Sequence, residues 1–64
     1  MLDRGYDDGL AAYKRDAASR RVATERSEIT KRAIESVNKL NISDQRQASQ
    51  YVMGFIMGYT SQSS

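Results

Sequence analysis

The sequence predicts an all-α fold: a helical hairpin of one long amphipathic helix and one short apolar helix, assembling as a dimeric helical bundle. Three observations carry this expectation. The 64 residues contain no proline and only four glycines, while charged residues make up 28% of the chain and are well mixed, a composition that suits packed helices better than disorder. Apolar residues between Ala11 and Leu40 recur at helical spacing. Asn41-Ile42-Ser43-Asp44 is the clearest punctuation between two apolar-patterned stretches, and so short a connection favours antiparallel neighbours.

The first helix is expected over about residues 9–40. At about 100° per residue, Ala11, Ala18, Val22, Ile29, Ala33, Val37 and Leu40 share one arc, widened by Ile34, with Arg20, Ser27, Lys31 and Asn38 opposite. Glu28 with Arg32 and Glu35 with Lys39 are i,i+4 pairs in the favourable order, each worth about 0.2–0.5 kcal/mol. Tyr6, Leu10, Tyr13 and Ala17 form a second stripe, well over a right angle from the first on the same wheel. Two explanations compete. The helix breaks near residues 19–27, with Thr24 and Ser27 as N-caps and Glu25 and Glu28 in the first turn, or one long helix serves two neighbours. No glycine or proline marks a break, so the long helix is preferred. After it, Asn41 suits the left-handed conformation that ends a helix. Ser43 suits an N-cap, and Asp44 suits the positive end of the next dipole. The second helix is expected over about residues 44–59, and the polar tail 60–64 is expected to fray.

The stretch YVMGFIMGY, residues 51–59, is the least polar part of the chain. It is far shorter than the roughly 20 apolar residues that cross a bilayer, and polar residues flank it on both sides. No membrane partner is expected. As a strand it would place Tyr51, Met53, Phe55, Met57 and Tyr59 on one face. Yet QRQASQ runs into it without a turn signal, and no second strand is evident. As a helix it directs Ala48, Tyr51, Val52, Phe55 and Tyr59 at the hairpin partner, lays Gly54 and Gly58 beside them as a flat strip, and leaves Met53 and Met57 on the far side. A helix apolar nearly all round is buried on more than one side, and a monomer this small cannot surround one. Two interior glycines cost about 1 kcal/mol each relative to alanine. Close backbone approach, as in small-xxx-small crossings, offsets that most readily. Tyr51, Val52, Gly54, Phe55, Ile56, Gly58 and Tyr59 are therefore expected at a self- or partner interface. An ordinary core helix with tolerated glycines is the competing reading.

Composition excludes more than it assigns. A chain of this size buries too little surface for comfortable stability and recovers the deficit with disulfides, metals or oligomerisation. Cysteine and histidine are both absent, so thiolate zinc sites, disulfides and the commonest general base are excluded. Self-association, most simply as a homodimer, or binding to a partner is what remains. Ser36-Val37-Asn38-Lys39 matches S-x-x-K, a motif that functions only inside a much larger fold. Asp3, Asp7, Asp8 and Gly9 lack the spacing of a calcium loop, and there is no phosphate-binding glycine loop. No catalysis, no cofactor and no metal are expected. The N-terminal MLDRGYDDG has no apolar run after its charge, which argues against a secretory signal. A cytoplasmic location is the expectation, and the sequon at Asn41 then carries no meaning.

The basic residues supply the alternative function. Lys14, Arg15, Arg20, Arg21, Arg26, Lys31 and Arg32 face only Asp16, Glu25 and Glu28 within residues 14–32, a net +4, while residues 1–13 carry −2. Such a segment can neutralise phosphates without reading sequence, although mixed-sign helix faces are usually just solvated. Arg15 and Arg26 project into the apolar arc, where they either snorkel or pair across an interface. A helix-turn-helix centred on Asn41 is rejected, because Gln45 and Gln47 occupy positions that need apolar residues and the rest is too apolar for a groove. The leading expectation is a non-enzymatic interaction protein, a regulator or inhibitor that self-associates and docks on another macromolecule, in particular a protein. A nucleic-acid-binding helical dimer using 14–32 is the alternative, and a structural subunit of a larger assembly a second one.

Overall fold

The computed structural model describes residues 1–61, and within them the chain is helical without strands. Three helices form: α1 (Leu2–Ala18), α2 (Arg26–Lys39) and α3 (Gln45–Ser61). The expected long helix is thus two helices, broken where the alternative reading placed the break. Thr60 and Ser61 belong to α3, and the remainder of the expected frayed tail, 62–64, lies outside the described residues.

The break is made by a backbone motif that needs no glycine. Arg20 adopts the left-handed conformation at φ 57°. Arg20 N–H donates to the Ala17 carbonyl, and Arg21 N–H to the Asp16 carbonyl at 2.8 Å. These are the two bonds of a Schellman motif. The same motif ends α2. Asn41 sits at φ 55°, Asn41 N–H reaches Asn38, Ile42 N–H reaches Val37, and Ile42 and Val37 are both partly buried against the core. Asn at this position was legible, whereas arginine pays about 1–2 kcal/mol for the left-handed region and gives no warning. At the start of α3 the Asp44 carboxylate accepts from Arg46 N–H at 2.9 Å and Gln47 N–H at 3.3 Å. Asp44, one residue later than the expected Ser43, is therefore the N-cap.

Helix α1 starts at Leu2 and runs straight through Gly5 and Gly9. Its buried face is Gly5, Gly9 and Ala12. The expected stripe fares worse: Tyr6 and Ala17 are exposed, and Leu10 and Tyr13 only half-buried. The reason lies in the partner helix. A methyl group on Gly5 would overlap the Tyr51 carbonyl, and one on Gly9 the Phe55 carbonyl; on Gly54 it would meet the Leu2 carbonyl, and on Gly58 the Tyr6 carbonyl. Two G-x-x-x-G faces thus lie against each other, each glycine beneath a carbonyl of the opposite helix. The close approach permits weak Cα–H···O contacts of about 0.5–1 kcal/mol each, which help to offset the helix cost of the glycines. Residue numbers rise together across this contact, so α1 and α3 run parallel.

Helix α2 connects them in the opposite direction and packs on α3 through side chains. Ile29 and Ala33 are its buried residues. With Ala12, Ala23, Tyr51, Phe55 and Tyr59 they make the core. Phe55 stacks on Tyr59 at a ring separation of 6.1 Å, and Tyr13 meets Tyr59 edge-on at 5.5 Å, both within the favourable aromatic range. Neither expected i,i+4 pair closes: among the described residues, the ion pairs are Arg15–Asp16 at 3.8 Å and Arg32–Asp16 at 2.6 Å.

Candidate interaction surfaces

Two tyrosines fix the helices in register, and their nodes decide which surfaces stay free. The Tyr59 hydroxyl donates to Asp16 at 2.8 Å and accepts from Ala23 N–H and from the Arg32 guanidinium, both at 2.9 Å. Arg32 also donates to the Arg21 carbonyl at 3.0 Å. One buried hydroxyl therefore ties α1, α2, α3 and the segment after α1. Burial pushes the Tyr59 phenol up; the Ala23 N–H opposes that shift and Asp16 adds to it. Partial burial disfavours the Arg32 charge, but Asp16 and Tyr59 outweigh it and the net direction is up. Eight residues earlier on both helices, the Tyr51 hydroxyl donates to Asp8. Burial and that bond raise the Tyr51 phenol to about 12, with Ser36 pulling the other way.

Five of the seven residues expected at a self- or partner interface are inside this chain. Tyr51, Gly54, Phe55, Gly58 and Tyr59 are buried against α1 and α2. The cover expected from a second subunit is supplied at these positions by α1, whose glycines were not paired with those of α3 in the sequence reading. The signal was present: Gly5-x-x-x-Gly9 and Gly54-x-x-x-Gly58 have equal spacing, as do Asp8/Asp16 and Tyr51/Tyr59. The other two, Val52 and Ile56, are half-buried. They border the surface that does remain. Met53 and Met57, placed on the far side by the helical wheel, are 59% and 52% exposed.

Between α2 and α3 an open groove of about 410 Å³ is lined by Ile34, Val37, Ala48, Val52 and Met53, with Gln45 and Ser49 as its polar members. Ile34, the residue that widened the sequence arc, is 48% exposed at its edge. A second, more polar hollow of about 300 Å³ lies between α1 and α2, lined by Asp8, Ala11, Ala12, Arg15, Ser36 and Phe55. Among the described residues no three acidic side chains converge on a point that would hold a metal ion, and no helix is long and apolar enough to cross a membrane.

The basic residues divide. Lys14, Arg15, Arg20, Arg21, Arg26 and Lys31 are exposed, whereas Arg32 is drawn inward to Asp16 and Tyr59. Arg15 and Arg26 do not enter an apolar arc. The break resets the helical phase between them, Arg26 becomes the first residue of α2, and the Arg15 side chain is 73% exposed. Comparison with known proteins returns no matching family model, no matching curated protein and no matching solved structure.

Proposed function

We propose that this chain is a non-enzymatic interaction protein that takes an amphipathic helix of another protein into the groove between α2 and α3, and so acts as a small regulator or inhibitor. The observation that supports this reading is the groove itself. Its walls are aliphatic, from Ile34, Val37, Val52 and Met53, and no charged side chain lines it. A trough between two antiparallel helices suits the i, i+3, i+4, i+7 anchors of a docked helix, and methionine adapts its shape to such a guest. Occupying that helix is sufficient for regulation, because the bound face is then unavailable to its usual partner.

Self-association is the second reading, and Met53 and Met57 favour it, since two such exposed methionines one turn apart extend the groove along α3. A homodimer would use Val52, Met53, Ile56 and Met57, with the glycines excluded because α1 occupies them. The deciding experiment is molar mass by light scattering after gel filtration, together with the helical signal, for the wild type and Met53→Asp. A helical monomer whose groove, labelled at Ser49, responds to an added amphipathic aliphatic helix supports docking, provided Met53→Asp removes the response. A dimer that Met53→Asp dissociates assigns the strip to self-contact. A monomer with no response to any such helix sinks the proposal.

A further inference from the structure

The break between α1 and α2 does more than end a helix. On one continuous helix the basic positions of residues 14–32 spread around the wheel. Folding back at residues 19–25 instead gathers them at one end of the molecule. Arg15 lies in the last turn of α1 with Lys14 just before it, Arg20 and Arg21 in the connection, Arg26 at the first position of α2 and Lys31 within its second turn. All six are exposed. Arg32 and Asp16 neutralise each other, which leaves Glu25 and Glu28 as the opposing charges and a net +4 at this end. The remaining charged side chains, within residues 3–8, 35–39 and 44–46, lie in the middle or toward the opposite end and sum to −2. A body of 32 × 18 × 18 Å is therefore polarised along its length.

We infer that this basic end is a second binding surface, distinct from the apolar groove, and that it takes the phosphate backbone of a nucleic-acid duplex without reading its sequence. Four of the six cations are arginines, whose planar guanidinium suits phosphate. Among the described residues none of segment 14–32 is an exposed large apolar side chain. An anionic membrane surface holds each such cation only weakly unless an apolar residue also inserts, and protein interfaces centre on buried anchors of that kind. The segment also contains no aromatic residue, so bases of a single strand have no ring to stack on. What remains is charge alone, matched to a regular array of phosphates about 1.7 Å apart along the duplex axis. Across the 18 Å width of the molecule that array offers more phosphates than the six cations can contact.

The test is fluorescence anisotropy of two short duplexes of unrelated sequence, titrated with the full chain at several salt concentrations. With about four phosphates neutralised, affinity is expected to fall about 100-fold between 50 and 200 mM monovalent salt, equally for both sequences. The triple variant Arg20→Gln, Arg21→Gln, Arg26→Gln should flatten that dependence to a few-fold at most. Arg4→Gln with Arg46→Gln, at the other end, should leave it unchanged. All five side chains are exposed, and circular dichroism confirms that each variant stays helical. The wild-type salt series also stands on its own. No binding at 50 mM salt, equal slopes for both variants, or tighter binding to polyglutamate or to anionic lipid vesicles would overturn the inference.

Discussion

On its α1 side, α3 presents backbone to backbone. Gly54 and Gly58 lie beneath the carbonyls of Leu2 and Tyr6, and Gly5 and Gly9 return the contact beneath Tyr51 and Phe55. On its α2 side the same helix makes contact through Ile29, Ala33, Val37 and Val52, and the helices stand far enough apart to leave an open groove. The first contact admits no added atom at four positions. The second has spare volume, exposed methionine and no buried backbone partner. Within one short helix the chain thus separates a face that specifies its own fold from a face left for something else. Small residues are the device for the first, and flexible aliphatic ones for the second.

The largest effect should come from filling the tight face. Gly9→Ala places a methyl within overlap of the Phe55 carbonyl and the Tyr59 amide. Overpacking of this kind costs about 1–3 kcal/mol or more, set against a helix gain of about 1 kcal/mol. Because the overlap is with backbone atoms, the upper end of that range applies and a net loss of about 2 kcal/mol in urea unfolding is expected, while Met53→Ser on the loose face stays within about 0.5 kcal/mol. If Gly9→Ala is the more stable protein, propensity dominates and the contrast between the faces fails.

Next comes the node that spans both faces. Tyr59→Phe strands the Ala23 N–H and removes one partner from each of Asp16 and Arg32. An unsatisfied buried donor costs about 1–3 kcal/mol, and chemical unfolding should show a loss in that range. Tyr51→Phe removes the bond to the half-buried Asp8 and the interaction with Ser36 but strands no backbone donor, so about 1 kcal/mol is expected. A larger loss there than at Tyr59 would mean that the α1–α3 register is set at Tyr51 instead.

The same tyrosines give an alkaline signature. The Tyr51 phenol is raised to about 12, so the fold favours its neutral form. That stabilisation is complete below the ordinary tyrosine range near 10 and is lost as pH rises from there through about 12. It amounts to on the order of 2 kcal/mol. Tyr59 shifts in the same direction. Thermal unfolding from pH 9 to 12 should therefore fall steeply in the wild type and less so in Tyr51→Phe; identical curves would remove Tyr51 as a cause. The smallest effect is a gain. Arg20→Gly relieves the left-handed residue at the end of α1 and should add about 0.5–1 kcal/mol in urea unfolding.

Much of this architecture was legible in the sequence, and the failures have physical causes. Asn41 announced its left-handed cap, and the far-side placement of Met53 and Met57 followed from the helical wheel. The break at residues 19–25 was preferred against because its left-handed position is filled by arginine, which carries no turn signal. Once the break was missed, Arg15 and Arg26 were phased on a helix that does not continue, and their apolar surroundings were an artefact of that phase. The glycines of α3 were correctly linked to a close crossing. The partner was sought in another subunit, however, because α1 was expected to start near Gly9 and so to lose half of its matching face. Side-chain periodicity also misled on α1: its contact face is marked by the absence of side chains, and an apolar stripe of tyrosine and leucine outweighs glycine on any hydrophobicity wheel.

The parallel pairing of the first and last helices also governs how the chain acquires its shape. The contacts that close the tight face join residues such as Leu2 with Gly54 and Gly9 with Phe55, nearly the whole length of the chain apart. Bundles built from sequential hairpins fold rapidly because their contacts are local. Here α1 finds its partner only after YVMGFIMGY has been synthesised, so the fold is completed late and nearly all at once.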